Sequence, residues 1–533
     1  MSENQIEKEH GRYDRILLST LYLLGIIHWV FFFFFVCPEG GDKNLLHIVS
    51  SPAQWFRYEV ITNGDWFHDM NYMGVMKEAL ETFQMPYHVA NLDQMNSVES
   101  RFLGTSTYIT SPQIFLLYFM SPFTFSFLNL LFMYSIGFLC CLYFRRYFQL
   151  GIIPFVFLYL IFNYNGYFVS KFVAYGSWEL GYYLMPLVVL LIFRAGNLKP
   201  ADRKQQLRIG ILLGLVIGAI VHQGSLSLLI HIMTFLAFWL IWNYRLWLFS
   251  LTAIIASFSL SFARLLPLTI SRGPGANSQL FEWGGYRDIE HMVNGFVNLR
   301  KCFESAGNYS HKTILETGWH EYSVYIGLPA FLVIAYYALW APFLKVGWLT
   351  FKNWSSLLFP CAMIVFCSIR QWKRLVIPDW VPLLNGEGLT SRFMIIPLLI
   401  TLFIAAINLQ GFIIKYWDRK RVRYFMVSFM VIIAMFLLNH SREWRMHSVQ
   451  AKFESYKETI ASDIIRNDLT FEEYYEDHYK LTLPIVKKSS DTIYIVFVWF
   501  GIVANCVALF FCCWWLWNGY NRRKQIPTWD SGT

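Results

Sequence analysis

The chain has 533 residues, of which 56% are hydrophobic, 19% aromatic and only 15% charged. So few charges leave a soluble surface of that size uncovered, which excludes a water-soluble globular protein and places the chain among integral membrane proteins. The formal charge of +9 does not point to nucleic acid, because the basic residues fall in short clusters between apolar runs, where their role is topological.

A spanning helix needs about 20 mostly apolar residues. The first such segment, 15–36, contains "ILLSTLYLLGIIHWVFFFFFV" with no small-residue cleavage site before "CPEGG", and reads as an uncleaved membrane anchor. Further spans are expected at 113–143, 150–164, 179–195, 209–222, 224–242, 246–268, 322–344, 354–369, 392–414, 424–439 and 492–517. The expected fold class is therefore all-α and polytopic, with about twelve transmembrane helices. Pro112 and Pro122 divide the second stretch into a bent or interfacial helix leading into a span. The "HQG" of His222 to Gly224 predicts a tight hairpin tip between the fifth and sixth.

Basic clusters set the orientation. Arg12 and Arg15, Arg145 and Arg146, "KPADRKQQLR", Arg245, Lys345 and Lys352, "KYWDRKRVR" and the terminal "NRRK" are consistent with one cytoplasmic face and both termini inside. Almost all irregular chain then falls outside, at 37–112, 164–178, 269–321, 370–391 and 440–491. The expectation is one polytopic domain over 1–533 whose working surface is the outer face. Its large outer segments are 37–112, which carries an amphipathic helix, the loop 269–321, and 440–491, expected as short helices on the membrane surface. Of nine cysteines, only Cys37 and Cys302 fall outside, so no disulfide framework is expected.

Within the first outer segment, Tyr72, Met73, Met76, Leu80 and Phe83 follow three-and-four spacing, with Lys77, Glu78 and Glu81 on other faces. Asp69 stands at the start of this helical pattern, where the dipole and unpaired amides favour a carboxylate, and Pro86 closes it. An N-cap worth about 1 kcal/mol would account for such an aspartate without any chemistry. Asp65, in "GDW" one turn earlier, is the second candidate.

The stretch "DMNYMGVMKEALETFQMPY", an outer Asp after the first span, an aromatic three residues on and an amphipathic helix closing near a Pro, resembles the first outer loop of the GT-C superfamily of membrane glycosyltransferases. That resemblance covers the first outer loop and otherwise only the architecture of many spans, inner basic clusters and large outer loops. It implies transfer of a sugar from a polyprenyl-phosphate-linked donor to a cell-envelope glycan, lipid or protein acceptor, with Asp69 at the catalytic centre. The Asp-Glu or Asp-Asp doublet of some members is missing, because Met70 follows Asp69, so no metal ligands are assigned and use of a divalent cation, Mg or Mn, is left open.

The chemistry supplies its own reason for these residue types. A carboxylate that takes the proton of an attacking hydroxyl is worth about 100- to 10,000-fold, and a departing lipid phosphate needs cations, for which the forked Arg head is suited. Arg392 in "NGEGLTSRFMIIP", Arg264 in "SFARLLP", Arg272, Lys373 and Arg374 are the cationic candidates near outer span ends. Lys171 and Glu179, in "NYNGYFVSKFVAYGSWELGYYLMP", either pair with each other or face a polar cavity. His68, Tyr72 and His88 complete the substrate-binding candidates, while His320 and Glu321, directly before a span, are either a second acid/base or ligand pair or, in the preferred reading, ordinary interfacial polar groups. A transporter or flippase of lipid-linked glycans is the alternative reading, disfavoured because paired halves and short loops on both sides are lacking. A bacterial cytoplasmic membrane with the site outside is the expected location, and the endoplasmic reticulum the alternative.

Overall fold

A computed structural model describes residues 3–34, 65–90, 101–104, 108–271, 284–299, 319–340, 351–372, 390–417, 419–467, 485–486 and 491–524. The chain is an all-α polytopic membrane protein. Among the described residues eight helices are long and apolar enough to cross a membrane: Asp14–Phe32, Pro122–Phe148, Ile152–Val173, Trp178–Gly196, Arg203–His222, Thr390–Tyr416, Lys420–Trp444 and Thr492–Asn518. Each falls on an expected span.

The expected spans 224–242 and 246–268 differ from this pattern. Leu226–Trp242 and Tyr244–Ser259 form a pair bent by 116°, which raises the number of spans to nine if counted as one. The break has a local cause, since the Asn243 side chain donates to the carbonyls of Trp239 (3.2 Å) and Ser356 (3.3 Å) and ends the first arm in a polar corner. The expected spans 322–344 and 354–369 are the shorter apolar helices Leu328–Trp340 and Trp354–Ser368.

The spans are sorted by how much of them the protein itself buries. Ile152–Val173 and Thr390–Tyr416 are 89% buried and form the centre, whereas Asp14–Phe32 and Thr492–Asn518 are 17% buried and lie at the rim. Individual helices begin and end where side chains can close them. Ser121 accepts a bond from the Thr124 amide ahead of Pro122, opening helix α3 (Pro122–Phe148), and Gln149 leaves it in the left-handed region. Asn165 accepts from the Phe168 amide and divides α4 (Ile152–Tyr164) from α5 (Gly166–Tyr175).

The two ends of the bundle differ in charge. At one, Arg145 pairs with Asp14 at 2.6 Å and the Gly151 amide reaches Gln410 at 2.7 Å, and Arg146, Lys199, Arg203, Lys204, Arg245, Lys415 and Arg419 are exposed at or near helix termini. At the other, several charged side chains are buried.

Helix α2 (Asp65–Glu81) belongs to that second end. Its buried Tyr72, Met73, Val75 and Met76 share a small core with Val89, Phe102, Tyr108, Ile114 and Leu117, and strand β1 (His88–Val89) pairs antiparallel with β2 (Ile485–Val486) beside it. Two expectations are corrected here. The helix starts at Asp65, so Asp69 is in its second turn and not its N-cap; and Phe83 is 89% exposed at φ 52°, in the left-handed turn that ends the helix well before Pro86. A third correction concerns 440–491. Helix α15 runs unbroken over Lys420–Asn467, so the span and the start of the outer segment are one rod.

Candidate functional site

The buried charges of the second end fall into two groups. The first begins at Asp69, which is 0% exposed, with Oδ1 accepting from the indole Nε1 of Trp178 at 3.2 Å. Trp178 is itself held, because Ser225 Oγ donates to its carbonyl at 2.9 Å while accepting from the Gly181 amide at 3.0 Å. The hairpin tip expected at 222–224 thus supplies, one residue later, the hydroxyl that fixes the partner of Asp69.

The neighbouring residue, Glu179, is 7% exposed and accepts from Ser227 at 2.8 Å. Its charge acts on Lys171, the residue its closeness in sequence suggested. Lys171, 1% exposed, bonds to the carboxylate of Glu321, which is 3% exposed. Arg392 forks onto the same carboxylate, with Nε to Oε2 at 2.7 Å and Nη2 to Oε1 at 2.7 Å. Two cations from different spans therefore meet on one acid, the strongest geometry a guanidinium offers.

Electrostatics fixes the protonation of this group. Burial alone would push the Glu321 carboxyl up, but the charges of Arg392 and Lys171 and their hydrogen bonds outweigh it and hold the group down at about 2. His320 lies 3.6 Å from Glu321 Oε1. Its burial, and then the charges of Lys171 and Arg392, push it down to about 3, so it is neutral at pH 7. His231, on the span Leu226–Trp242, packs edge-on against Phe393 at 4.8 Å, beside Arg392.

The second group ties residues 87–104 to the last span. Asp491 accepts from Arg101 Nε at 2.6 Å and Nη2 at 3.1 Å, and His88 Nε2 lies 3.3 Å from Oδ2. Burial opposes ionisation of Asp491, yet these hydrogen bonds hold its carboxyl below the usual carboxylate range. Tyr494 donates to the Tyr87 carbonyl and accepts from the Leu103 amide, and Arg264, 3% exposed, donates to the Leu103 carbonyl at 3.2 Å. His222 meets Thr110 at 2.8 Å and the Leu260 carbonyl at 2.9 Å.

The expected site residues divide accordingly. Asp69, Glu179, Lys171 and Arg392 are brought into one region, since Trp178 and Glu179 are consecutive and α2 packs against α5. His88 and Arg264 belong to the second group, and Tyr72 packs edge-on against Phe102 at 5.8 Å. Asp65 and His68 lie in the first turns of α2, with side chains outside the described residues, as are Arg272, Lys373 and Arg374. Glu321, read from sequence as an interfacial group, is the hub of the first group, and Trp178 was not singled out at all. Among the described residues no three His, Cys, Asp or Glu side chains converge as a metal-binding set. No family model, curated protein or solved structure matches the chain.

Proposed function

We propose that the protein is a membrane glycosyltransferase that moves a sugar from a polyprenyl-phosphate-linked donor to a glycan, lipid or protein acceptor at the non-cytoplasmic face. One observation carries the reading: a fully buried aspartate, Asp69, is held by an indole donor in the same region as two cations, the buried Lys171 and the partly buried Arg392, at the end of the bundle remote from the exposed basic residues. The positive-inside rule assigns that end to the outside. Counting both arms of the bent pair and both short helices as crossings gives the expected twelve and leaves both termini in the cytoplasm.

In this reading the acceptor hydroxyl attacks the anomeric carbon, its proton passes to the Asp69 carboxylate, and the glycosidic bond to phosphate breaks with inversion. The departing lipid phosphate is stabilised by cations in a site of low dielectric, where fixed charges act more strongly than in water. Arg392 and Lys171 are the cations assigned to that phosphate, while Asp65, on the same helix as Asp69, is the fallback base and His68 a substrate-binding candidate there. The membrane is assigned as a bacterial cytoplasmic membrane, with the endoplasmic reticulum as the alternative.

Asp69→Asn tests the reading, because the amide keeps the oxygen that Trp178 needs and removes only the base. Sugar transfer from a polyprenyl-phosphate donor in nanodiscs is expected to fall by about 100-fold or more, with expression and melting temperature unchanged. Full retention of transfer refutes the assignment. Charges on membrane spans, the buried Lys171 and the partly buried Arg392, also favour a second reading as a flippase of lipid-linked glycans. Glycan translocation without sugar transfer in the unaltered protein would select it.

A further inference from the structure

We propose that the turn between the spans Thr390–Tyr416 and Lys420–Trp444 binds the headgroups of anionic phospholipids through Lys415, Arg419, Lys420, Arg421 and Arg423. The inference is independent of the glycosyltransferase reading and concerns the basic end of the bundle.

Five cations fall within nine residues here, and all five are exposed. The backbone that carries them is closed. The Arg419 amide donates to the Tyr416 carbonyl at 3.1 Å, and the Arg419 carbonyl accepts from the Val422 and Arg423 amides at 2.9 and 3.2 Å. Lys415 Nζ and Arg419 Cζ each lie 5.3 Å from the centre of the Tyr416 ring, so one cation from either side of the turn is gathered at a single aromatic. Among the described residues none of the five forms an ion pair, whereas Arg145, at the same end of the bundle, has Asp14. Asp418, within the turn, lies outside the described residues, and one acid against five cations leaves four positive charges unmatched.

For the chain alone this arrangement is unfavourable. Like charges so close in sequence repel, and Lys420, Arg421 and Arg423 stand in the first turn of α15, which holds no acid and where the helix dipole opposes a cation. The positive-inside rule requires an excess of cations in a loop and not their convergence on one closed turn. An anionic headgroup relieves the repulsion, because its phosphate oxygens accept from guanidinium and ammonium donors alike. The surroundings select a lipid over a soluble phosphate or an acidic peptide. Ile414, Tyr424 and Phe425 flank the cations and are 71%, 73% and 64% exposed, so apolar surface continues from the charges onto the sides of the two spans. A ligand with a charged head and acyl chains meets both surfaces, and each Lys or Arg at a membrane surface adds to the attraction for acidic lipid.

The test titrates phosphatidylglycerol and, separately, phosphatidylcholine into the full-length protein in neutral detergent and follows bound lipid by native mass spectrometry. The unaltered protein is expected to bind phosphatidylglycerol at least about tenfold more tightly, with a preference that shrinks as salt is raised. Arg419→Gln, Arg421→Gln and Arg423→Gln together are expected to abolish the preference. Three cations removed elsewhere at the basic end, by Lys199→Gln, Arg203→Gln and Lys204→Gln, are expected to leave it unchanged. Equal binding of the two lipids by the unaltered protein overturns the proposal and leaves the glycosyltransferase reading untouched. A loss of preference as large in the Lys199 triple variant as in the Arg419 one also overturns it, because the lipid would then answer to overall charge and not to this turn. Should the Arg419 triple variant not fold, Lys415→Gln with Lys420→Gln decides: a reduced preference is expected, and an unchanged one overturns the proposal.

Discussion

Trp178 and Asp69 are separated by 109 residues in sequence and joined by a hydrogen bond of 3.2 Å, which ties helix α2 to the entrance of the fourth span. A donor aimed at a fully buried carboxylate stabilises the fold and sets where that carboxylate points. Trp178→Phe keeps an aromatic ring in the small core of the outer segment and removes the donor. It is expected to destabilise the protein by about 1–3 kcal/mol, the usual cost of withdrawing a bond from a buried charged group. Thermal unfolding followed with a thiol-reactive dye checks this, because Cys140, Cys141, Cys361 and Cys367 are buried and react only on opening. Trp178→Phe with an unshifted melting temperature would show that the bond contributes nothing to stability.

Gly166 opens α5 directly under the segment that carries Glu321. A Cβ at this position would run into the backbone amide of Tyr325 and the hydroxyl of Ser323. Backbone moves less easily than a side chain, so Gly166→Ala is expected to shift the segment and cost about 1–3 kcal/mol, as overpacking of a close contact does. The same dye assay measures it. A Gly166→Ala protein as stable as the parent would mean that the segment yields readily.

The acid side of the stability profile follows from His320 and Glu321. Both have folded values below their ordinary ones, about 3 against 6.5 for His320 and about 2 against 4.5 for Glu321. The unfolded chain therefore takes up protons first as pH falls, and each group's contribution is complete above its ordinary value and lost toward its folded one. Stability should decline from about pH 6.5 downward, steepening below about 4.5. A single group contributes a slope of about 1.4 kcal/mol per pH unit at most. His320→Asn should remove at most about 1.4 kcal/mol per pH unit from the slope between these two values and leave the steeper part below. Unfolding midpoints of both proteins in detergent from pH 7 to 4 would reveal an unchanged slope if His320 is not the group responsible.

The spans and the outer helix were legible in the sequence because apolar windows and three-and-four spacing are local signals. What lay beyond them is non-local. The segment "WHEYS" gives Glu321 the look of an interfacial residue, since its partners Lys171 and Arg392 are 150 and 71 residues away. The interaction of Lys171 with Glu179 was legible for the opposite reason, their being near in sequence. The start of α2 was misplaced because a carboxylate ahead of an apolar stripe reads as an N-cap, whereas packing buries Asp69 in the second turn. Similarly, the change from apolar to charged residues near His440 reads as the end of a span, whereas α15 continues through it to Asn467, and a helix need not stop where its composition changes.

The second polar group makes the last span part of the support of residues 87–104. Arg101 and Asp491 are joined by two hydrogen bonds across 390 residues, and their side chains are 13% and 10% exposed. A pair so enclosed is screened little by salt and loses little to competing water, unlike an exposed ion pair of the same length. Removing one partner leaves the other enclosed without its counter-charge, which costs more than removing both. Arg101→Gln and Asp491→Asn should each destabilise the protein, and the double variant should be less unstable than the two single losses added. The expected coupling is about 1–3 kcal/mol. Melting temperatures of the four proteins at low and high salt provide the cycle. Strict additivity, or a coupling that vanishes at high salt, would show that the pair behaves as a surface contact and that the last span is not held to residues 87–104 through it.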